Sequence, residues 1–247
     1  MTRAGINRRS FIGAIGVMAG STAIGRTAPS PNEQVGIAVL GCGRGSSLAS
    51  WFSRLSDSRV VAICDPDQNR ARALCAKVED ISGKRPEAIV DFRHLLDRKD
   101  IDALAVATPD HWHAIQTVGA LNSGKDVYCE KPLTHNIHES IEVMKAVKKN
   151  KRVLQTGSMQ RSSREFRVAC ELVRNGVIGK VERTAVNIGG PGRPCDLKTE
   201  KDEPGLDWDM WIGPGPMRGY SSVLSPRGVH GHFPHWRNYK EYGGGMV

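Results

Sequence analysis

The stretch from Val35 to Ser46, VGIAVLGCGRGS, decides the fold. Its first six residues form a short apolar run, which is typical of a fully buried strand. The glycines at 41, 43 and 45 then predict a tight turn, after which a helix begins at Ser46. Ser46 is small enough to let that helix pack closely on the strand. A strand, a glycine turn and a helix in this order can hold the pyrophosphate of a dinucleotide.

An acidic residue follows this motif at the end of the next predicted strand. Asp65 ends the second predicted strand, 60–64, and comes 24 residues after Gly41. A carboxylate at this place can bind the hydroxyl groups of the adenosine ribose, and it repels a 2′-phosphate. The sequence therefore favours NAD as the cofactor. Arg70 lies close by and weakens that preference, so NADP stays open.

The chain then alternates between apolar runs and helical patterns, which predicts a parallel sheet with right-handed crossovers. Residues 35–156 are expected to form an α/β domain, the doubly wound Rossmann type of nucleotide-binding domain. Residues 157–247 no longer show this alternation and contain glycine- and proline-rich segments. They predict the beginning of an α+β domain, with a half-exposed strand at 180–188. Further strands are predicted at 88–90, 103–107, 127–129 and 153–156, and helices at 46–55, 68–78, 92–96, 111–123, 136–150 and 163–175.

Three segments follow strands at the carboxyl edge of this predicted sheet, where open α/β sheets bind their ligands. Lys131, at the exit of the strand 127–129, can hydrogen-bond a substrate hydroxyl group. It can also accept the proton of that group if a desolvated site lowers the pKa of the lysine, which makes Lys131 the predicted catalytic residue. The alternative is a surface lysine paired with Glu130. The predicted cofactor-binding residues are Gly41, Cys42, Gly43, Arg44, Asp65, Thr108, Pro109, His111, Glu130, Lys131 and Gln160.

No metal site is expected. His111 and His113 are two residues apart, and such positions do not share a helix face. The six cysteines show no Cys-x-x-Cys spacing, so we expect buried free thiols rather than a zinc cluster. The run 230–235 holds three histidines that could bind zinc, but histidines of a substrate loop or of the surface are the favoured interpretation.

Residues 1–28 predict an export signal. Arg8 and Arg9 form a twin-arginine pattern before an apolar, glycine-rich stretch, which is typical of a Tat signal peptide and of a periplasmic protein. A buried N-terminal helix is the alternative. Residues 29–34 are a predicted linker, and removal of the signal would leave no stable membrane anchor. Four charges of the net +9 belong to the signal, and no basic stripe with aromatic residues follows, so no nucleic-acid partner is expected.

Together these residues resemble the Gfo/Idh/MocA oxidoreductase family. The resemblance rests on the glycine turn, Asp65, TPDHWH at 108–113, YCEKPL at 128–133 and YGGGM at 242–246. It implies a Rossmann domain followed by an open, mostly antiparallel sheet, NAD(P), a sugar or polyol substrate, a homo-oligomer and a catalytic Lys131. It also implies an acid and a histidine beyond the glycine run, so we expect the second domain to be present only in part.

We therefore expect an NAD(P)-dependent oxidoreductase that acts on a ring hydroxyl of a sugar, cyclitol or glycoside, with hydride transfer to the nicotinamide. One alternative is a redox-neutral enzyme that cleaves glycosides with a tightly bound NAD, which export would favour because free NAD is scarce outside the cytoplasm. Another is a non-catalytic protein that binds nucleotides or sugars.

Overall fold

The computed structural model describes residues 33–231 and 234–245. Its sheet contains the strands β1 (Val35–Leu40), β2 (Ser58–Cys64), β3 (Glu87–Ile89), β4 (Ala103–Val106), β5 (Asp126–Cys129) and β6 (Leu154–Thr156). Their spatial order is β3-β2-β1-β4-β5-β6, and every neighbouring pair is parallel. The order reverses between β1 and β4, which is the switch point of a doubly wound sheet. The predicted Rossmann fold and its six strands are confirmed.

Helices connect the strands, as parallel pairing requires. The helix α2 begins after Asp67, whose carboxylate accepts the backbone N–H groups of Asn69 and Arg70, and it ends at Gly83 in the left-handed conformation. The described helices are α1 (Gly45–Phe52), α2 (Gln68–Ser82), α3 (Arg93–Leu96), α4 (Asp110–Asn122), α5 (Ile137–Asn150), α6 (Arg164–Arg174) and α7 (Trp208–Ile212).

The apolar runs of the central strands form the core of the sheet. Leu40, Leu104 and Val106 are completely buried, and Leu121 of α4 packs in the same cluster. A strand that is covered on both faces needs a continuous apolar run, and β1 and β4 have one. Their burial fixes the carboxyl ends of β1, β2, β4 and β5 at one edge of the sheet.

Residues 189–245 belong to the same compact unit as residues 33–156. They contain α7, a 3-10 turn at His235–Asn238 and isolated bridges. An aromatic cluster holds them together, with Trp208 stacked on Trp211 at a ring-centroid distance of 4.8 Å. The buried members of this cluster are Trp211, Ile212, Leu224, Trp236, Tyr239 and Tyr242.

Residues 157–188 form a separate unit that contains a 3-10 turn and α6. The predicted helix at 163–175 is confirmed, but the predicted strand at 180–188 is wrong. These residues are exposed and form no strand, because the described part of this unit offers no second strand to pair with their N–H and C=O groups. The predicted domain boundary after Thr156 and the antiparallel sheet stay predictions.

The predicted signal at 1–28 and most of the linker lie outside the described residues. Within the described ranges, no helix has the length and apolar character needed to cross a membrane. All six cysteines are free. Cys64, Cys75 and Cys129 are buried, as expected, whereas Cys42 and Cys195 are only partly buried and Cys170 is exposed. Burial raises the pKa of Cys75 to about 11, so this thiol stays protonated at neutral pH.

Candidate active site

Each of the three glycines in the turn after β1 has a different structural role. Gly41 has φ +87°, and a Cβ there would lie 2.6 Å from the carbonyl oxygen of Ala107. A Cβ on Gly45 would lie 2.9 Å from Cγ1 of Val39, so Gly45 allows the close contact between α1 and β1. A Cβ on Gly43 would meet no atom within 4 Å. The space above Gly43 is thus open for a phosphate group, and the turn fits a dinucleotide.

Ser46 does not have the role that the sequence predicted for it. Gly45 is the buried residue at the contact between helix and strand, whereas Ser46 is partly exposed. The hydroxyl oxygen of Ser46 accepts a hydrogen bond from Nζ of Lys77 at 3.0 Å. By spacing alone, the sequence motif assigns the contact between helix and strand to residue 46. The distance of 2.9 Å between a Cβ on Gly45 and Cγ1 of Val39 shows that Gly45, one residue earlier, makes this contact.

Asp65 lies directly beside the glycine turn. Its Oδ2 accepts the backbone N–H of Cys42 at 2.7 Å, and its Oδ1 accepts the N–H of Asp67 at 2.9 Å. Burial raises the pKa of this carboxyl group, while the two N–H donors lower it. Each carboxylate oxygen has a second lone pair. Asp65 can therefore hold the turn and still accept a ribose hydroxyl group.

An ion pair connects the turn after β1 with the exit of β5. Nε of Arg44 lies 3.1 Å from Oε1 of Glu130, which also accepts the hydroxyl of Tyr128 at 3.3 Å. The side chain of Glu130 is 8% exposed and that of Arg44 is 34% exposed. The sequence predicted both residues as cofactor ligands but did not predict their contact.

Lys131 is exposed at this same edge. Its neighbour Glu130 directs its carboxylate to Arg44 and Tyr128, so the structure does not show the predicted alternative of a Glu130–Lys131 ion pair. Within the described residues, no hydrogen bond or ion pair engages the ammonium group of Lys131. That group is therefore available to a substrate at the edge of the sheet.

His113 connects the exits of β4 and β5, and the sequence assigned it no such role. Its Nδ1 lies 2.6 Å from the carbonyl oxygen of Pro132, and its Nε2 lies 2.9 Å from that of Thr108. The side chain is 1% exposed. A signal was present in the sequence, since His113 lies on the first turn of a helix that follows a strand. The hydroxyl of Thr108 itself donates to Oε1 of Gln116 at 2.8 Å.

His111 faces a different part of the molecule. Its Nε2 lies 3.1 Å from the carbonyl oxygen of Trp211, and its Nδ1 lies 3.3 Å from that of Tyr242. Burial lowers its pKa to about 4, so the ring is neutral at pH 7. The ring of His111 therefore joins α4 to residues 189–245. Its predicted contact with a cofactor stays a prediction.

The structure brings most of the predicted site residues to one edge. Pro109 precedes the first residue of α4 and is partly exposed beside Thr108. Gln160 belongs to the unit 157–188, and its role stays a prediction. The described residues contain no group of three metal-ligating side chains, and His232 of the histidine run lies outside them. The residues that meet at the edge are Gly41, Cys42, Gly43, Arg44, Asp65, Thr108, Pro109, Glu130 and Lys131.

The sequence model described as an oxidoreductase family with an NAD-binding Rossmann fold matches residues 35–158. The chain belongs to the Gfo/Idh/MocA family. The predicted family is confirmed, and the NAD-binding fold agrees with the predicted cofactor.

The similar proteins with named activities include two enzymes compared by sequence and one enzyme compared by its solved structure. Inositol 2-dehydrogenase 1 of Mycolicibacterium vanbaalenii is 35% identical over 60% of this chain and 42% of its own length. An alpha-N-acetylgalactosaminidase of Shewanella oneidensis is 30% identical over 66% of this chain and 36% of its own length. The structure of scyllo-inositol dehydrogenase from Lactobacillus casei, with bound NAD(H) and scyllo-inositol, is 26% identical, with a TM-score of 0.51 over 60% of this chain and 43% of its own. The chain thus spans about two fifths of the length of these relatives.

Proposed function

We propose that this protein is an NAD-dependent oxidoreductase that acts on a ring hydroxyl group of a sugar, cyclitol or glycoside. One observation carries the proposal: the exposed Lys131 lies at the same sheet edge as the open glycine turn and Asp65. A ligand that extends along this edge has its ribose at Asp65 and its phosphates above Gly43. Its reactive end then lies on the side of Lys131.

Different residues of the chain have different roles at such a site. NAD, held at Asp65 and above Gly43, would supply the acceptor for the hydride of the substrate's carbinol carbon. Lys131 hydrogen-bonds the oxygen of that carbinol and, as the neutral amine, takes its proton. His113 holds the backbone on both sides of the catalytic position, at Thr108 and at Pro132. The inositol dehydrogenases among the relatives support a polyhydroxylated ring as the substrate.

A redox-neutral reaction is the second candidate. The relative named alpha-N-acetylgalactosaminidase belongs to the same set of similar proteins, and the twin-arginine pattern at Arg8 and Arg9 favours export to a compartment that is poor in NAD. A tightly bound NAD would supply both the oxidant and the reductant for such a reaction, so no net NADH would be formed.

The experiment combines the purified protein with NAD, inositols and an N-acetylgalactosaminide, and it measures NADH and released sugar separately. We expect NADH from at least one polyol. Lys131→Ala should lower turnover by about 10²- to 10⁴-fold with NAD binding retained, whereas Lys148→Ala on the exposed face of α5 serves as the matched control. Sugar release without NADH would establish the redox-neutral reaction. NAD binding with neither product would indicate the non-catalytic alternative.

We also propose that residues 1–28 direct the protein to the periplasm through the Tat pathway, on the strength of the twin-arginine pattern. The double variant Arg8→Lys/Arg9→Lys should stay in the cytoplasm when the cells are fractionated. The family resemblance further supports a homo-oligomer, which sedimentation of the purified protein would test.

A further inference from the structure

A segment of residues 203–228 lies on the loop that follows β2 and Asp65. The backbone N–H of Gln68 donates to the carbonyl oxygen of Gly205 at 2.9 Å, and the N–H of Asp207 donates to that of Pro66 at 2.9 Å. Nδ2 of Asn69 donates to the carbonyl oxygen of Pro204 at 3.2 Å. The segment is thus fixed to the loop at the ribose end of the proposed NAD site.

Arg70 is the cation of this loop, and its guanidinium is turned toward the segment. Its Nε donates to the carbonyl oxygen of Gly228 at 3.1 Å, and its Nη2 donates to that of Pro226. The same Nε lies 3.1 Å from Oδ2 of Asp67. The side chain of Arg70 is 16% exposed and that of Asp67 is 2% exposed. Two carbonyl oxygens and one buried carboxylate therefore hold the guanidinium.

The loop 226–228 that receives Arg70 is itself held in place. Oε1 of Glu203 accepts the backbone N–H of Gly228 at 2.9 Å, and Oε2 of Glu203 lies 2.7 Å from Nη1 of Arg227. The guanidinium of Arg227 lies over the ring of Tyr220, 4.8 Å from its centroid. Tyr220 is completely buried, and its hydroxyl donates to the carbonyl oxygen of Ser225 at 2.7 Å. Nη2 of Arg227 also donates to the carbonyl oxygen of Lys201 at 2.6 Å and lies 3.5 Å from Oε2 of Glu200. Glu203 is the side chain that contacts both Gly228 and Arg227, so it helps to keep the acceptors of Arg70 in position.

Discrimination between NAD and NADP depends on what meets the 2′ position of the ribose. NADP carries a phosphate there, and sites for NADP present an arginine to it. In this chain the arginine nearest in sequence to Asp65 faces carbonyl oxygens instead, and the carboxylates of Asp65 and Asp67 lie on the same loop. A phosphate at this place would meet negative charge without a free guanidinium to balance it.

Resting on the proposed NAD site, we propose that Arg70, held by residues 226–228 and by Glu203, determines the selectivity of this protein for NAD over NADP. The loop prevents an arginine that could bind a 2′-phosphate from doing so. Selectivity here is a property of two segments, since the two carbonyl oxygens that hold Arg70 beside Asp67 come from about 160 positions further along the chain.

The test measures the dissociation constants of NAD and NADP by calorimetry, with no turnover required. Glu203→Ala removes the two contacts of Glu203 with the loop 226–228, those with Gly228 and Arg227. We expect it to tighten NADP binding by about tenfold, the gain from one or two charge-assisted hydrogen bonds, and to leave NAD binding within about twofold. The gain should disappear in Glu203→Ala/Arg70→Ala. It should persist in Glu203→Ala/Arg72→Ala, because Arg72 is an exposed neighbour on the same helix.

Three results would overturn the proposal: no gain in NADP affinity with Glu203→Ala, a gain that survives the loss of Arg70, or equal affinity of the wild type for both nucleotides. If Glu203→Ala does not fold, Arg227→Ala takes its place, because it also removes the ion pair between the loop 226–228 and Glu203, and Arg70→Ala gives a second check. If the guanidinium of Arg70 does not reach NADP in the wild type, Arg70→Ala should bind NADP as the wild type does. A loss of about tenfold in the NADP affinity of Arg70→Ala would contradict the proposal. A wild type that binds neither nucleotide would refute the proposed function, whereas NAD binding without selectivity would refute only the role of Arg70.

Discussion

Arg44 and Glu130 form an ion pair across the carboxyl edge of the sheet, with Nε and Oε1 separated by 3.1 Å although the residues are 86 positions apart in the chain. Arg44 lies within the glycine turn, and Glu130 precedes the proposed catalytic Lys131. The pair therefore connects the part of the site that would hold phosphates with the part that would hold the substrate.

Removal of Glu130 should weaken NAD binding. Glu130→Ala takes away the acceptor that holds Arg44 beside Gly43, and we expect the dissociation constant to rise by about three- to tenfold. Glu130→Gln should cost less, since the amide oxygen still accepts from Arg44 and Tyr128. Calorimetry on these variants and on Arg44→Ala/Glu130→Ala checks whether the two residues act as one unit. Additive losses in the double variant would contradict the role of the pair, and Glu142→Ala on the exposed face of α5 is the control.

His113 should matter for both stability and turnover. In His113→Ala the carbonyl oxygens of Thr108 and Pro132 lose a buried partner, which should lower the free energy of unfolding by about 2–4 kcal/mol. The backbone next to Lys131 then loses its support, and we expect turnover to fall by about 10- to 100-fold while NAD affinity changes by less than about threefold. Urea unfolding and steady-state kinetics measure the two effects. The exposed His94 gives the matched control, His94→Ala. Unchanged turnover in His113→Ala would contradict its positioning role.

The stability of the protein should depend on pH through His111. Its pKa is about 4 in the folded chain because of burial, and about 6.5 in an unfolded chain. Between these values the unfolded state binds more protons, so the free energy of unfolding should fall as the pH drops from about 6.5 toward 4, and the contribution is fully present above about 6.5. Asp110 acts in the opposite direction, since burial raises its pKa.

The variant His111→Gln isolates this contribution because it retains Asp110. Urea unfolding at several pH values between 4.5 and 7.5 should show a steeper loss for the wild type than for His111→Gln. Parallel curves for the two proteins would show that His111 does not titrate as its burial requires.

The sequence was most informative where local chemistry determines the structure. An apolar run followed by glycines predicts β1 and its turn, since Gly41 and Gly45 are required by contacts with Ala107, directly after β4, and with Val39 of β1. Asp65 could be placed because its position follows from the end of β2. These features depend on residues of adjacent strands, and the alternation of strands and helices already predicts where those strands lie.

Contacts between distant segments could not be predicted in this way. The Arg44–Glu130 pair, the double contact of His113 and the contacts of Arg70 with residues 226–228 depend on side-chain directions and on the path of residues 189–245. The predicted strand at 180–188 was wrong for a related reason. Alternation describes which face of a segment is apolar, but a strand also needs a partner for its backbone.

The most direct test of the proposed site is the binding of NAD to Gly43→Val, measured by calorimetry beside the wild type. A Cβ at this position would meet no atom within 4 Å, so the side chain would enter the open space above the turn. We expect the wild type to bind NAD, and Gly43→Val to bind it at least about tenfold more weakly with an unchanged unfolding temperature. Gly190→Val, at another glycine with open space around it, should bind as the wild type does. Equal NAD binding by Gly43→Val and the wild type would contradict the assignment of this turn to the cofactor.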